Sequence, residues 1–389
     1  MALNLLKYSF IIYISSLIIF DLPINIIYSN IINILFWLCF LSIVIINKQN
    51  KFYIGNFILA YMIFTIFCIA SILWAINIDL TTAYVLRLVI VCINLIVIYN
   101  IFKFYNLENS IHYGILIGSF YNYLLVLEII HPSFYIYEFS RFTGSVGNSN
   151  KLAVIMLLSI FSSLILLNSI KNNWFRVYIY LNILLASYAI FLSVSKKAII
   201  LAPILLLTTV KFKNIKFKNI IISIIVSSVL IFLFIEYIDS SFLNQKLILL
   251  EKRFSGLIGL ATTGVVDHSS QERAKLLIDG FELFKNDPLF GIGLDNFRHF
   301  LGLYAHNTYL ELLVDVGIIG FCLYYVIYII IIKKILRMEN DNLKKLLIIM
   351  ILILLVMDFT TVTYFNKLII FILLYIYYSA EKNKIEKEY

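Results

Sequence analysis

Residues 304–320 read YAHNTYLELLVDVGIIG and open an apolar run that extends from about residue 307 to residue 332. A run of this length crosses a bilayer, because some 20 helical residues match the hydrocarbon thickness. Yet its first turns hold Asn307, Glu311 and Asp315, with His306 immediately ahead. An ionisable group at the centre of a span costs about 2.5–3.5 kcal/mol on insertion scales. These groups lie one to two turns from one end, where the cost is smaller. Their four-residue spacing sets all three on one helical stripe, so the stripe should face a polar cavity. Asn307 reads as an N-cap. Gly317 and Gly320 are expected to continue the helix and to permit close packing.

Runs of the same kind recur along the chain. Of 389 residues, 62% are hydrophobic and only 14% charged, where a soluble domain would carry about a quarter charged. Apolar stretches near 5–22, 31–46, 53–74, 82–101, 111–130, 151–169, 177–193, 198–210, 219–237, 307–332, 344–358 and 366–380 give about twelve spans. The predicted fold class is therefore an all-α polytopic membrane protein. A single transmembrane domain covers 1–389, with residues 238–305 as a large loop between the ninth and tenth spans. The pair of runs around SVSKK reads equally as a broken or re-entrant element. The start, MALNLLKYSF, lacks an A-x-A-like cleavage site and reads as a retained first helix.

The net charge of +9 does not point to nucleic acid, because most basic residues cap apolar runs. Alternate loops carry NKQNK, KNNWFR, KFKNIKFKN and KKILRMENDNLKK, whereas DLPIN and AINIDLTT carry no Lys or Arg. The positive-inside rule then puts both termini in the cytoplasm and residues 131–150, 194–197 and 238–305 outside. Lys196 and Lys197 run against that rule. Cys39, Cys68, Cys92 and Cys322 lie in apolar runs without metal-ligand or disulfide spacing, and read as small packing residues.

The outer segment contains Gly256, Gly259, Gly264, Gly280, Gly291, Gly293 and Gly302, half of the chain's 14 glycines. Ser269 and Glu272 form a capping box. Leu277, Ile278, Phe281 and Phe284 form an apolar stripe, and Pro288 follows its end. An ordered cap over the outer face is expected.

Four polar clusters fall on that face, each with two readings. In RFTGSVGNSNK (141–151), Asn148 or Asn150 could cap a helix, and Arg141 and Lys151 beside the helix start suit an anion; an ordinary glycine turn reads as well. In SVSKKA (193–198), the lysines suit a phosphate or snorkel to headgroups. Arg273 opposes the dipole of its helix, or is a solvated surface residue. His306 serves proton chemistry at the rim, or nothing.

With these motifs in view, the chain resembles the bacterial O-antigen ligase and O-antigen/capsule polymerase family of integral membrane glycosyltransferases. The late family signature is similar to PLFGIGLDNF (288–297) followed by AHNTYLELLVDVGIIG (305–320). The earlier R-x-x-G…N-x-N element resembles RFTGSVGNSN, and S-x-S-R appears as Ser193, Val194, Ser195 and Lys196. Lysine in place of arginine keeps the charge but loses bidentate phosphate binding, and Ser149 stands where the family often has proline.

The resemblance implies a GT-C-like bundle in the bacterial inner (cytoplasmic) membrane with its site facing the periplasm. It implies glycans carried on undecaprenyl diphosphate as substrates, an acceptor glycan, no metal and no cofactor, and partners such as a chain-length regulator. Lys196 and Arg273 would hold the diphosphate, with Arg141 assisting. His306 would take the acceptor's proton or orient its hydroxyl. Asn307 and Glu311 would position His306 or the acceptor, Asn150 would join the substrate site, and Gly291 and Gly293 would let backbone approach the substrate. The leading expectation is a lipid-linked oligosaccharide polymerase for O-antigen or capsular polysaccharide; a ligase acting on lipid A–core is the alternative. A flippase or transporter fits less well, because transporters place ionisable groups near the midplane and show internal repeats. Arg87 and Glu128 are the two groups that could fit that pattern.

Overall fold

The computed structural model describes residues 2–48, 51–132, 134, 136–138, 141–208, 248–249 and 268–385. Their helices are α1 (Ala2–Ile19), α2 (Ile26–Ile46), α3 (Asn56–Ala70), α4 (Ile78–Tyr105), α5 (Ser110–Val126), α6 (Ser149–Ser169), α7 (Asn173–Ser193), α8 (Lys196–Leu207), α9 (His268–Asn286), α10 (Phe297–Leu301), α11 (Thr308–Leu336), α12 (Asp341–Asp358) and α13 (Lys367–Ile385). One departure from an all-α chain is a two-residue antiparallel ladder, β1 (Tyr137–Glu138) with β2 (Arg141–Phe142), which sets Glu138 opposite Arg141.

Seven helical stretches among the described residues are long and apolar enough to cross a membrane. They are Ala2–Ile19, Pro23–Ile46, Asn56–Leu73, Ile78–Tyr105, Ser149–Ser169, Asn173–Ser193 and Thr308–Leu336. The runs expected at 111–130, 198–210, 344–358 and 366–380 are also helices, namely α5, α8, α12 and α13. The ninth expected run, 219–237, and residues 238–267 of the outer segment apart from 248–249 lie outside the described residues.

Small residues let the helices approach. Gly114 and Gly118, one turn apart on α5, have no room for a Cβ, because Ile14 and Ile18 of α1 fill that space. Ser15 Oγ donates to the Gly114 carbonyl at 3.0 Å across the same contact. Membrane helices gain little from the hydrophobic effect against one another, so close backbone approach and interhelical hydrogen bonds do this work. At the end of the bundle away from His306, Glu381 of α13 is tied to Lys334 of α11 at 3.1 Å, to Lys103 of α4 at 3.4 Å and to Tyr99 at 2.8 Å.

Helix α11 is interrupted, contrary to the expectation that Gly317 continues it. Gly317 has φ 65° and ψ −172°, which splits α11 into an outer segment of two turns and a long inner one. Such a break strands backbone groups that lipid cannot satisfy. The PLFGIG loop satisfies them. The Ile292 and Gly293 N–H groups donate to the Val314 and Asp315 carbonyls at 3.0 and 2.9 Å, while Ile318 and Ile319 donate to the Pro288 and Leu289 carbonyls at 2.9 and 3.3 Å. A side chain at Gly291 would run into the backbone of Asp315 and Gly317, and one at Gly317 into the Leu289 carbonyl. The two glycine motifs are thus one structural element. Gly320 alone behaves as expected, lying against Phe67 of α3.

Above this element α9 packs through Leu276 and Gly280, the latter against Phe297 and Leu310. Of the predicted stripe only Phe284 packs inward, whereas Leu277, Ile278 and Phe281 are exposed. The packed face runs through Leu276, Gly280, Leu283 and Phe284, and its glycine is a position that hydropathy does not mark. The side chain of Ser269, and with it the capping box, lies outside the description.

Candidate functional site

The stripe of polar residues on α11 faces backbone amides, not an open cavity. Asn307 caps the helix, accepting from the Leu310 N–H at 3.2 Å. Glu311, 1% exposed, accepts from the Ala305 N–H at 2.9 Å and from the Tyr364 hydroxyl at 3.4 Å. Asp315, fully buried, accepts from the Asp295 and Phe297 N–H groups at 2.8 and 2.7 Å. A carboxylate that receives backbone N–H donors makes short charge-assisted bonds. Glu311 therefore fixes the residue before His306, and Asp315 fixes the 295–297 turn.

Between those anchors His306 adopts φ 52°, a left-handed conformation that costs a non-glycine residue about 1–3 kcal/mol. Asp295 and Val194 are left-handed as well, with φ 61° and 51°. For the β-branched Val194, at the sharp turn between α7 and α8, this is a marked outlier. Strain of this kind persists only where neighbours over-determine the backbone, and Glu311 and Asp315 do so at two of the three positions.

The His306 ring lies 3.8 Å from that of Tyr304, centroid to centroid. Burial, and then the positive charge of Arg273, lower its pKa to about 4. The imidazole is thus neutral at pH 7, with a lone pair free to accept a proton. Arg273, on the first turns of α9, also acts on Lys197. Burial first and Arg273 second bring the Lys197 ammonium down to about 8. Neither Lys197 nor Arg273 has an ion-pair partner among the described residues. Two cations and a neutral histidine share one neighbourhood, with no carboxylate in an ion pair with either cation among the described residues.

The other expected residues collect around the start of α8. Arg141 Nε donates to the Ser193 carbonyl at 2.9 Å and its Nη2 to Asn150 Oδ1 at 3.1 Å. Ser195 Oγ reaches the same Asn150 oxygen at 3.3 Å. Asn148, not Asn150, caps α6, accepting from the Asn150 and Lys151 N–H groups at 3.0 Å. Lys151 is drawn away to Asp21 at 2.6 Å. Ser195, at the N-cap of α8, makes no side-chain capping bond, so the first-turn amides point outward beside the half-buried Lys196 and Lys197. This is the arrangement that suits an anion. Gly291 and Gly293 sit against the interrupted helix and Ala75 respectively.

Four residues with no assigned role stand out here. Lys197, next to the expected Lys196, is a lysine on which Arg273 acts. Tyr304 carries the His306 ring. Asp295 and Arg298, paired at 3.5 Å, come from the LDNFR stretch, whose polar residues carried no spacing signal. Among the described residues no group of three or more His, Cys, Asp and Glu side chains could hold a metal ion.

The family model described as O-Antigen ligase matches residues 181–325, a stretch that contains Lys196, Lys197, Arg273, His306 and Glu311. The match bears out the resemblance to the O-antigen ligase and polymerase family. No curated protein matches the chain.

Proposed function

We propose that the protein is a membrane glycosyltransferase that polymerises lipid-linked oligosaccharides. It moves a glycan from undecaprenyl diphosphate to a sugar hydroxyl on a second lipid-linked repeat unit. The observation that carries this reading is the pair of cations, Lys197 and Arg273, which have no ion-pair partner among the described residues, with Arg273 acting both on Lys197 and on a histidine whose pKa is lowered to about 4.

The chemistry follows from those charges. The acceptor oxygen forms a bond to the anomeric carbon as the bond from that carbon to the diphosphate oxygen breaks. His306 takes the hydroxyl proton, and the diphosphate leaves with the bonding electron pair. Lys197, Arg273, Lys196 and the first-turn amides of α8 stabilise the charge that grows on the leaving group, the term that usually dominates such catalysis. Arg141, held by Asn150, supports the same anion from the side of α6. Glu311 acts as a positioning group by anchoring Ala305, and Asn307 by capping α11. No metal or cofactor takes part. About twelve spans carry the site, with both termini cytoplasmic and the site on the periplasmic side of the inner membrane, where a chain-length regulator could dock.

His306→Ala and Arg273→Ala should each lower transfer by at least about a hundredfold while leaving the melting temperature of the purified protein within a few degrees. Wild-type activity in either folded variant would refute its role. Transfer should persist in EDTA, and loss that a divalent ion restores would refute the metal-free step. A ligase reading is favoured by the description of the matching family, and shares every residue named; only the acceptor distinguishes it.

A further inference from the structure

Arg87 lies nine residues into α4, about 13 Å below the helix start at Ile78, and it is exposed. Among the described residues it makes no ion pair, and neither does Lys367 at the start of α13. An arginine within a span is costly and marks a functional site by default. Side chains tilt toward the helix N-terminus, so Arg87 leans toward the same mouth that holds His306.

A chain of contacts leads from Arg87 to that histidine. Its guanidinium stands 4.3 Å from the Tyr84 ring centroid, and Arg298 stands 5.4 Å from the same ring. Arg298 also lies 5.9 Å from the Tyr304 ring, and Tyr304 carries His306. Lys367 lies close enough to Arg87 for the two charges to act on each other. Two acids face the group among the described residues: Asp295, 3.5 Å from Arg298, and Glu311, whose charge also acts on Arg298. Arg298 Nε and Asp295 Oδ2 are buried without hydrogen-bond partners. Three cations against these two carboxylates leave the group net positive, opposite in sign to a diphosphate. No contact joins this group directly to Lys197 or Arg273 among the described residues.

We propose that Arg87, Arg298 and Lys367 form a second anion subsite, which binds the lipid diphosphate of the acceptor. It rests on the reading above that the acceptor is itself lipid-linked. The donor diphosphate occupies the Lys197–Arg273 lobe, the acceptor diphosphate occupies the Arg87 lobe, and Tyr304 and His306 lie in the line of contacts between them. The acceptor's reacting hydroxyl, at the far end of its glycan, then returns to His306.

The test is the binding stoichiometry of farnesyl diphosphate on the purified full-length protein, measured by native mass spectrometry and titration calorimetry. Wild type should bind two equivalents. The double variant Arg87→Gln/Lys367→Gln should keep one, and Arg273→Ala should keep the other. One equivalent in wild type, or a double variant that still binds two, would overturn the subsite. A second readout uses a donor whose acceptor hydroxyl is blocked and an acceptor whose diphosphate is replaced by a non-leaving methylene analogue. The double variant should raise the KM for that acceptor at least about tenfold and leave the KM for the donor unchanged; a matching rise for the donor would overturn the assignment. Two bound equivalents without glycan transfer would refute the polymerase reading and leave the subsite standing.

Discussion

His306 is set as a base before substrate arrives. Burial and the charge of Arg273 both disfavour its protonated form, so the acid limb of kcat/KM should fall near pH 4. Replacing Arg273 by glutamine removes a positive neighbour, which favours the imidazolium and raises the pKa toward the ordinary 6.5. The residual activity of Arg273→Gln should therefore show an acid limb shifted upward, and an unmoved limb would separate the two residues. Glu311 offers a second residue-level contrast. Glutamine keeps an oxygen for the Ala305 N–H, whereas alanine leaves that buried donor unsatisfied at about 1–3 kcal/mol. Glu311→Gln should retain most of the activity and Glu311→Ala should lose both activity and melting temperature. Equal loss in the two variants would indicate that the carboxylate itself reacts.

At the scale of elements, the interrupted α11 decides the geometry of the site. Gly317→Ala imposes a side chain at φ 65° and against the Leu289 carbonyl. It should destabilise the protein by several kcal/mol, on the order of the strain and overpacking costs combined, and lower the melting temperature accordingly. Gly302→Ala, left-handed but with open space around it, should cost less, so an equal loss would contradict the stitching of α11 to the PLFGIG loop. The positions of most helices were readable because apolar length is a strong signal. The break was not, because one glycine in an apolar run looks the same whether it packs or bends. What distinguishes Gly317 is a loop about 30 residues earlier, where the carbonyls of Pro288 and Leu289 meet the N–H groups of Ile318 and Ile319. Asp315 was legible as a polar residue in need of a partner, but its partners are the backbone N–H groups of Asp295 and Phe297, which no side-chain pattern reveals.

For the whole molecule, the bundle brings residues from α6, α8, α9 and the 302–307 turn to one end, and gathers Glu381, Lys334 and Lys103 at the other. Composition predicted a membrane bundle. Arg141 and Asn150 join through a hydrogen bond, and the charge of Arg273 reaches His306. Adding Lys197 to Lys196 needed the fold around the start of α8, and the Arg298 group needed the packing of the 294–298 turn on α4 through Thr81 and Asn296. The most direct test is to give the purified protein in lipid nanodiscs one substrate, an undecaprenyl-diphosphate-linked repeat unit, and to resolve the products by mass. The account predicts a ladder of lipid-linked chains longer by whole repeat units, absent with His306→Ala. Product that forms only when lipid A–core is added would contradict it.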